Sequence, residues 1–421
     1  LRAFARQGAV FNNAYAPASM CSSTRYSLLT GRFAHRCYLK HQGWLPHGPN
    51  TPMIQRALNT LPEMLQSRGY HTAAIGKYHV GMTFDNGTGK PATSYYYEDV
   101  DFTRPVLDGP THHGFDEFFG VPGNTEDSLD TEPRIYIRNN QWTFTNRDKM
   151  RRIGFKHRQP RILAAPDWDL AQMGPTYLRE AQAFLARQEK AKQPFFCFVS
   201  TPVTHSPHHG PKELVAQLKT QGIQGNVQLY AQVQNLDTNI GRMMKKIDDL
   251  GLAQNTILVY ASDQGMNDRG APHGDNRKGL GYDPAHHVPF MIRLPGAKPK
   301  VIPRLAGMID FFPTILDLCG IKRPDNADGI SLKPLLLDKK GYPEDRTLII
   351  QCPRSRQATK WKNSAVKTDR WRLVNGDKLY DVTVDPRQNT DIAQKNPDVV
   401  DKLRQAYEAY WADLPDQATS L

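Results

Sequence analysis

Short runs of β-branched and aromatic residues alternate along this chain with amphipathic stretches. The runs at 195–200, 256–261 and 288–294 are largely apolar, which is typical of buried strands in a largely parallel sheet. The stretches at 177–191 and 229–250 repeat apolar residues at helical spacing. This alternation predicts an α/β fold with a large, mostly parallel central sheet between helices.

The pattern changes twice outside this core. Residues 83–172 are rich in Gly, Pro, Tyr and charge and have poor periodicity, which predicts long loops that shape a cleft. Near the end of the chain, short apolar runs predict a small antiparallel sheet and a longer one predicts a closing helix. The sheet runs are 347–351, 364–367, 371–374 and 379–381, and the helix is 397–414. We therefore divide the chain into a large α/β domain, 1–340, and a small C-terminal domain, 341–421.

Composition narrows the functional classes. The 421 residues are 39% hydrophobic, which excludes a disordered chain, and no run approaches the roughly 20 apolar residues of a membrane-spanning helix. The net charge of +12 favours an anionic partner. Because Lys and Arg are scattered and no nucleic-acid-binding motif is present, we expect a sulfated or phosphorylated substrate rather than nucleic acid.

The most informative segment surrounds Cys21. Cys21 is followed by Arg25 at C-x-x-x-R spacing and then by Thr30-Gly31-Arg32, a pattern that resembles the signature of the type I sulfatases of the alkaline phosphatase superfamily. Further segments match that family in order. These are Gly76-Lys77-Tyr78-His79-Val80-Gly81, Thr204-His205-Ser206-Pro207, Ser262-Asp263-Gln264-Gly265, and Lys278 followed by Tyr282 and Val288-Pro289.

The resemblance implies a mechanism centred on Cys21. In that family a maturase oxidises the cysteine to formylglycine, whose hydrate attacks sulfur to give a covalent sulfo-enzyme. By this resemblance, Arg25 and Lys77 hold the hydrate, and His79 takes a proton from it so that sulfate is expelled. Positively charged side chains fixed around a sulfuryl group lower the barrier to this reaction, because they stabilise the charge that develops in the transition state.

The same resemblance assigns the sulfate and metal contacts. His205 and Lys278 would clamp the sulfate, and one or both would protonate the leaving oxygen. Asp263 and Gln264, together with the oxidised Cys21, would hold a divalent metal. Their oxygen donors suit a hard cation such as Ca²⁺.

The substrate is expected to be a sulfated carbohydrate or polysaccharide. His287 stands where the family often has Arg, and it is a candidate substrate-binding residue. Trp142 and the tyrosines at 95–97 are candidates for stacking on sugar rings. For such a substrate, the family leads us to expect a periplasmic or secreted enzyme.

Three departures from the family pattern stand out. The family opens with a strand that ends in two adjacent Asp residues, which complete the metal site; none precedes Leu1, and we expect that the chain is truncated there. Ser23 stands where the maturation motif usually has Pro or Ala. Gln264 stands where Asn or His is usual, and it keeps a carbonyl oxygen one methylene further out.

Other functions remain open at this point. A phosphonate monoester or phosphodiester hydrolase of the same superfamily would use a similar set of residues, and relative rates on sulfate and phosphorus esters separate the two. A non-catalytic binder of sulfated glycans would bind without releasing sulfate. A basic nucleic-acid binder would show steep salt dependence without base preference.

Overall fold

The computed structural model describes residues 1–39, 45, 51–123, 133–153, 162–206, 208–265, 280–352 and 359–415. Contacts group the chain into two units, of which the first is 46–256 with Leu1 and the second is 2–45 with 257–421. The division at residue 340 stays a prediction. In the structure, the small C-terminal sheet belongs to the same unit as the helix that begins at Cys21.

Helices and strands alternate through much of the described chain. The α-helices are α1 (Arg2–Ala5), α2 (Cys21–Thr30), α3 (Leu61–Gln66), α4 (Met173–Ala191), α5 (Lys212–Thr220), α6 (Val227–Asp249), α7 (Phe311–Leu318), α8 (Lys333–Leu336) and α9 (Pro397–Ala412). The first nine strands are β1 (Ala9–Phe11), β2 (Ala14–Tyr15), β3 (His71–Lys77), β4 (Glu117–Val121), β5 (Ile137–Arg138), β6 (Gln141–Trp142), β7 (Arg151–Ile153), β8 (Ile162–Ala164) and β9 (Phe195–Ser200). The others are β10 (Leu258–Ala261), β11 (Phe290–Arg293), β12 (Lys300–Ile302), β13 (Ala306–Gly307), β14 (Leu348–Ile350), β15 (Ala365–Lys367), β16 (Trp371–Val374) and β17 (Lys378–Asp381).

The first unit is built on a five-stranded sheet with the order β6-β5-β4-β3-β9. Its three longest strands, β4, β3 and β9, are parallel, and β5 and β6 extend the sheet in antiparallel fashion. Helix α4 packs on β3, β4 and β9 with a buried stripe that includes Tyr177, Ala181 and Phe184. The three parallel strands therefore end at one common edge.

The second unit contains a mixed sheet with the order β10-β11-β1-β12, in which β1 is parallel to β12 and antiparallel to β11. Strands β14 to β17 form the antiparallel C-terminal sheet in sequence order. Helix α9 packs on it through Val400, Leu403 and Tyr407, and they share one buried cluster. The predicted C-terminal sheet and closing helix are thus present.

The α/β class is confirmed, but two details of the central strands were predicted wrongly. Strands β10 and β11 are antiparallel, not parallel. Parallel neighbours need a crossover connection that is usually helical, and the described part of the link between these strands contains no α-helix. Strand β9 is an edge strand of its sheet, so Val199 is 41% exposed.

None of the helices among the described residues has both the length and the apolar character needed to span a bilayer.

Candidate active site

Cys21 is the first residue of α2, a helix whose ten residues are all buried. The polar side chains inside it are satisfied locally. Thr24 Oγ1 donates to the Ala18 carbonyl at 2.7 Å, and Thr30 Oγ1 donates to the Tyr26 carbonyl at 2.7 Å. Met20 precedes the helix without a side-chain cap. Cys21 therefore lies at a helix N-terminus, where the partial positive charge of the backbone favours a negatively charged group.

Arg25 and Asp263 meet in the second unit, a contact that the sequence analysis did not predict. Arg25 Nε and Nη2 lie 3.0 and 2.9 Å from the same oxygen, Asp263 Oδ2. The Arg25 side chain is 7% exposed, so this charge-assisted pair is shielded from water. The pair joins the helix of Cys21 to the loop after β10, although 238 residues separate the two positions.

Gln264 carries a side-chain carbonyl oxygen of the kind that coordinates a cation. Its Oε1 atom is buried and has no hydrogen-bond partner among the described residues. A buried carbonyl oxygen without a partner is costly unless something else binds it. Asp263 and Gln264 therefore fit the oxygen-ligand half of a Ca²⁺ site. The described residues contain no group of three or more His, Cys, Asp or Glu arranged to hold a metal.

Gly265 fixes the loop that carries Asp263 and Gln264. Its amide donates to the Ala285 carbonyl at 3.0 Å, and a Cβ atom at this position would lie 1.9 Å from the Pro284 oxygen. Only glycine allows the two backbone segments to approach so closely. The loop that carries Asp263 and Gln264 is consequently tied to the segment at Pro284 and Ala285.

His287 follows that segment and is held on both ring nitrogens. Nδ1 lies 3.4 Å from Asp283 Oδ2, and Nε2 lies 3.1 Å from the Asn12 carbonyl oxygen. The ring stacks on Tyr15 with centroids 4.9 Å apart. With these contacts in place, neither nitrogen is directed to a substrate, so the substrate-binding role of His287 stays a prediction. Lys278, predicted to clamp sulfate, lies outside the described residues.

Lys77 and His79 occupy the carboxyl edge of the sheet in the first unit. Lys77 is the last residue of β3 and is 2% exposed. His79, two residues later, has φ 54°, and its amide donates to the Pro122 carbonyl at 2.8 Å. A left-handed conformation is uncommon for a non-glycine residue and often marks a functional position. Ligands of open α/β sheets bind at this edge, so the position of both residues is compatible with their predicted roles.

Two glycines let the three parallel strands come together beside Lys77. A Cβ atom on Gly76 would lie 2.0 Å from the Ser200 oxygen, and one on Gly120 would lie 1.8 Å from the Gly76 oxygen. The strand ends that carry Lys77 and lead to His205 are therefore closely spaced. This spacing fixes the backbone at the carboxyl edge.

His205 follows the end of β9 by five residues and is half-buried. Its Nδ1 lies 2.7 Å from the Ser206 carbonyl oxygen, so that nitrogen carries the proton in a neutral ring. His205 also lines a small cavity of the first unit with Met173, Val203 and His209.

Two of the four predicted sugar-stacking aromatics are core residues. Trp142 is 5% exposed and packs against Phe84 and Phe102, with ring centroids 5.0 and 4.9 Å away. Tyr97 is also buried, whereas Tyr95 is 51% exposed. The described part of the loop region 83–172 thus has its own aromatic core, and sugar stacking by Tyr95 stays a prediction.

Comparison with the models of known protein families identifies the family of this chain. The model of the sulfatase family matches residues 1–321. The chain belongs to the sulfatase family. A second model, described as the C-terminal region of N-sulphoglucosamine sulphohydrolase, matches residues 272–411. The predicted family and the predicted enzyme class, a sulfuric ester hydrolase, are confirmed.

Relatives of this sulfatase are distant but extensive. An N-acetylgalactosamine-6-O-sulfatase of Bacteroides thetaiotaomicron is 25% identical over 96% of this chain and 86% of its own length. The N-acetylgalactosamine-6-sulfatase of Rattus norvegicus is 27% identical over 82% of this chain. That match covers 61% of the rat protein.

Solved structures share the fold. One from work on glycosaminoglycan metabolism by Bacteroides thetaiotaomicron has a TM-score of 0.77 at 22% identity, covering 97% of this chain and 92% of that one. The phosphonate monoester hydrolase of Agrobacterium radiobacter has a TM-score of 0.62 at 18% identity, covering 99% and 91%. A protein solved with its substrate D-glucosamine-2-N,6-O-disulfate has a TM-score of 0.65 at 19% identity, covering 98% and 92%.

Sequence reasoning missed a buried group in this sulfatase that contacts the segment before Cys21. Arg372 on β16 and Asp283 form an ion pair of 3.4 Å, and Tyr15 hydrogen-bonds to the same carboxylate at 2.7 Å. No motif spacing marks these residues. The one available signal was a charged residue between two apolar ones in the predicted strand 371–374.

Proposed function

We propose that this sulfatase hydrolyses sulfate esters on a sulfated carbohydrate, using formylglycine formed from Cys21. The observation that carries the proposal is the local arrangement around α2. Cys21 begins a buried helix, and Arg25 one turn later binds Asp263 through two nitrogens. The adjacent Gln264 keeps a buried carbonyl oxygen that has no partner in the described part of the chain. Formylglycine would supply the nucleophilic hydroxyl when hydrated, and Ca²⁺ would neutralise charge beside it.

Each candidate site residue then has a proposed role in the reaction. Asp263 and Gln264 would hold Ca²⁺ through their oxygens, and Arg25 would orient Asp263. Lys77, buried at the end of β3, would supply a fixed positive charge, and His79 would accept a proton. Because Arg25 and Asp263 are already paired within the second unit, little reorganisation of these two residues is needed during the reaction.

His205 and Lys278 are proposed to bind the sulfate. With the proton on Nδ1 directed to the Ser206 carbonyl, Nε2 of His205 is the atom that would serve the substrate. Lys278 would provide the second cation. A leaving-group alkoxide needs a proton, and either residue in its protonated form supplies one.

The names of several relatives support N-acetylgalactosamine 6-sulfate as the first substrate to test. A polymeric substrate of this kind lies outside the cell, so we also propose export. The net charge of +12 would attract a sulfated polymer, and added salt should weaken that attraction.

The deciding experiment has two steps. The protein is made together with a formylglycine-generating maturase, and the mass of the tryptic peptide 7–25 is measured without alkylation. An aldehyde in place of the Cys21 thiol establishes maturation despite Ser23. Sulfate release from N-acetylgalactosamine 6-sulfate is then measured, with Cys21→Ala as the inactive control. The same assay is run on a panel of other sulfated sugars. Full aldehyde content without sulfate release from any sulfate ester in this panel would refute the proposal.

The fold shared with a phosphonate monoester hydrolase supports one alternative. Phosphonate monoesters and phosphodiesters therefore belong in the same panel. Faster turnover of a phosphorus ester than of every sulfate ester would establish that alternative. Tight binding of a sulfated glycan with an unmodified thiol would instead favour a non-catalytic binder.

A further inference from the structure

The chain just before Cys21 is held between two other segments of the second unit. On one side, the Ala16 amide donates to the His286 carbonyl at 2.8 Å, and residues 286–288 continue the pairing. On the other side, the Gln351 amide donates to the Pro17 carbonyl at 2.9 Å, and the Ser19 amide donates to the Gln351 carbonyl at 3.2 Å. We call residues 14–20 the lead segment. Its position depends on both neighbours.

A buried cluster of charges connects those neighbours. Arg372 is fully buried on β16, and its Nε and Nη2 donate to the Gly281 carbonyl at 2.9 and 2.6 Å. Its Nη1 lies 3.4 Å from Asp283 Oδ1, to which the Tyr15 hydroxyl donates at 2.7 Å. Asp283 is therefore the point where the C-terminal sheet, the 281–287 segment and the lead segment meet.

His287 completes the cluster. Its two nitrogens face the Asp283 carboxylate and the Asn12 carbonyl oxygen, two acceptors, so both contacts are satisfied together only by the protonated ring. Its hydrogen bond to Asp283 raises the pKa of His287, although burial and the charge of Arg372 oppose this. Burial would raise the pKa of Asp283, but His287 and Arg372 lower it to about 2.

Asp283 is the carboxylate that both Arg372 and His287 contact, and two other titratable side chains, Lys367 and His286, lie nearby. Burial and the charge of Arg372 lower the pKa of Lys367 to about 7; its ammonium lies 5.0 Å from the Tyr15 ring centroid. Burial lowers the pKa of His286 to about 3, so that ring is neutral at pH 7. Removing the Asp283 charge would leave Arg372 and His287 together without their carboxylate. A buried charge that loses its partner is strongly destabilising.

We propose that Arg372 and Asp283 are positioning residues for hydrolysis at Cys21: Arg372 anchors Asp283, which holds His287 against Tyr15 and so fixes the lead segment. This inference rests on the proposed function. It makes the C-terminal sheet part of the scaffold of the reacting residue. An error of about 1 Å in placing a reacting group can cost about a hundredfold in rate, so a well-buried anchor is advantageous here.

The test compares Arg372→Met and Asp283→Asn with Arg370→Met. Arg370 is a matched control because it lies two residues before Arg372, next to the start of β16, is 60% exposed and pairs with Asp381. Aldehyde content at Cys21 is measured first, so that rates refer to matured enzyme. For N-acetylgalactosamine 6-sulfate, we expect kcat to fall at least about tenfold in both cluster variants with KM within about threefold, and no change in the control.

Two further readouts do not depend on turnover. Amide hydrogen exchange in residues 14–20 should be faster in both cluster variants and unchanged in Arg370→Met. The His287 ring, assigned in NMR spectra by comparison with His287→Gln, should titrate at lower pH in Asp283→Asn and at the wild-type pH in Arg370→Met, because only the first variant removes the carboxylate that His287 faces.

The outcomes separate this proposal from the proposed function. If mature wild-type protein releases no sulfate, the proposed function fails and the exchange and titration results still decide the positioning role. If Arg372→Met does not fold, Asp283→Asn decides alone. Unchanged kcat, unchanged exchange in the lead segment, or an unmoved His287 titration in Asp283→Asn would each overturn the proposal.

Discussion

Replacing Gly76 by alanine should disrupt the carboxyl edge of the first unit. Gly76 has φ +111°, and a Cβ atom there would lie 2.0 Å from the Ser200 oxygen and 2.7 Å from its carbonyl carbon. Both atoms are backbone, so no side chain can rotate away. To reach an ordinary separation of 3.4 Å, strand β9 would have to move by about 1.4 Å away from β3.

The cost has two parts. The positive φ costs an alanine about 1 kcal/mol, and separating the strand ends weakens about two hydrogen bonds at about 1 kcal/mol each. We expect a total loss of about 3 kcal/mol in the free energy of unfolding. For a unit of this size, that lowers Tm by about 6–12 °C.

Gly69→Ala is the matched control. Gly69 has φ +82° in the same unit, but a Cβ atom there would have nothing within 4 Å among the described residues. This variant pays the backbone cost alone, about 1 kcal/mol. The difference between the two variants therefore isolates the close approach of β3 and β9.

The assay is denaturant and thermal unfolding of both variants, with sulfate release measured in parallel. Because Lys77 follows Gly76 directly, we expect Gly76→Ala to lower kcat about a hundredfold and Gly69→Ala to leave it unchanged. Equal loss of stability in the two variants would refute the steric argument. A normal kcat in Gly76→Ala would refute the link between this spacing and the position of Lys77.

Three further predictions concern the metal, the sulfate contacts and acid stability. Calcium should raise the Tm of protein treated with EDTA, and Gln264→Ala should increase the calcium concentration needed for half of that shift about tenfold; an unchanged midpoint would remove Gln264 from the metal site. His205→Ala and Lys278→Ala should each lower kcat/KM for sulfate release at least about a hundredfold, and near wild-type rates would place the sulfate clamp elsewhere. Burial lowers the pKa of His35 to about 4, below its unfolded value, so the unfolded chain binds more protons and stability should fall as pH drops from about 6.5 towards 4. Unfolding of His35→Gln across this range should show a shallower pH dependence, and an equal slope would contradict the assignment.

Local structure was predictable because it depends on local periodicity. The strands β9 and β16 have the predicted bounds, 195–200 and 371–374, and helix α9 ends two residues before the predicted 414. Strand β9 is a largely apolar run, β16 is apolar except for Arg372, and α9 has an amphipathic stripe. Strand direction was not predictable in the same way, because β11 carries no local feature that distinguishes a parallel from an antiparallel neighbour.

The candidate site residues were chosen where chemistry imposes a motif, and their roles stay predictions. Arg25 and Asp263 were selected from separate motifs, and the structure joins them by a short ion pair. Trp142 was misinterpreted because an aromatic residue in a polar region looks exposed, whereas it packs with Phe84 and Phe102. The contacts of Arg372 could not be predicted from the sequence. They depend on which segment covers β16, and the four residues of that strand do not specify this.

The same contacts bear on how stability and activity are coupled in the second unit. The lead segment makes two backbone hydrogen bonds with Gln351, and Ser19 Oγ lies 2.9 Å from Cys352 Sγ. Arg372 adds the connection through Asp283 to Tyr15. At about 1 kcal/mol for each neutral bond and more for the buried charges, these contacts amount to several kcal/mol of coupling. Substitutions that loosen the C-terminal sheet should therefore displace Cys21 before they unfold the protein, and activity should be lost at lower denaturant concentration than the helical signal.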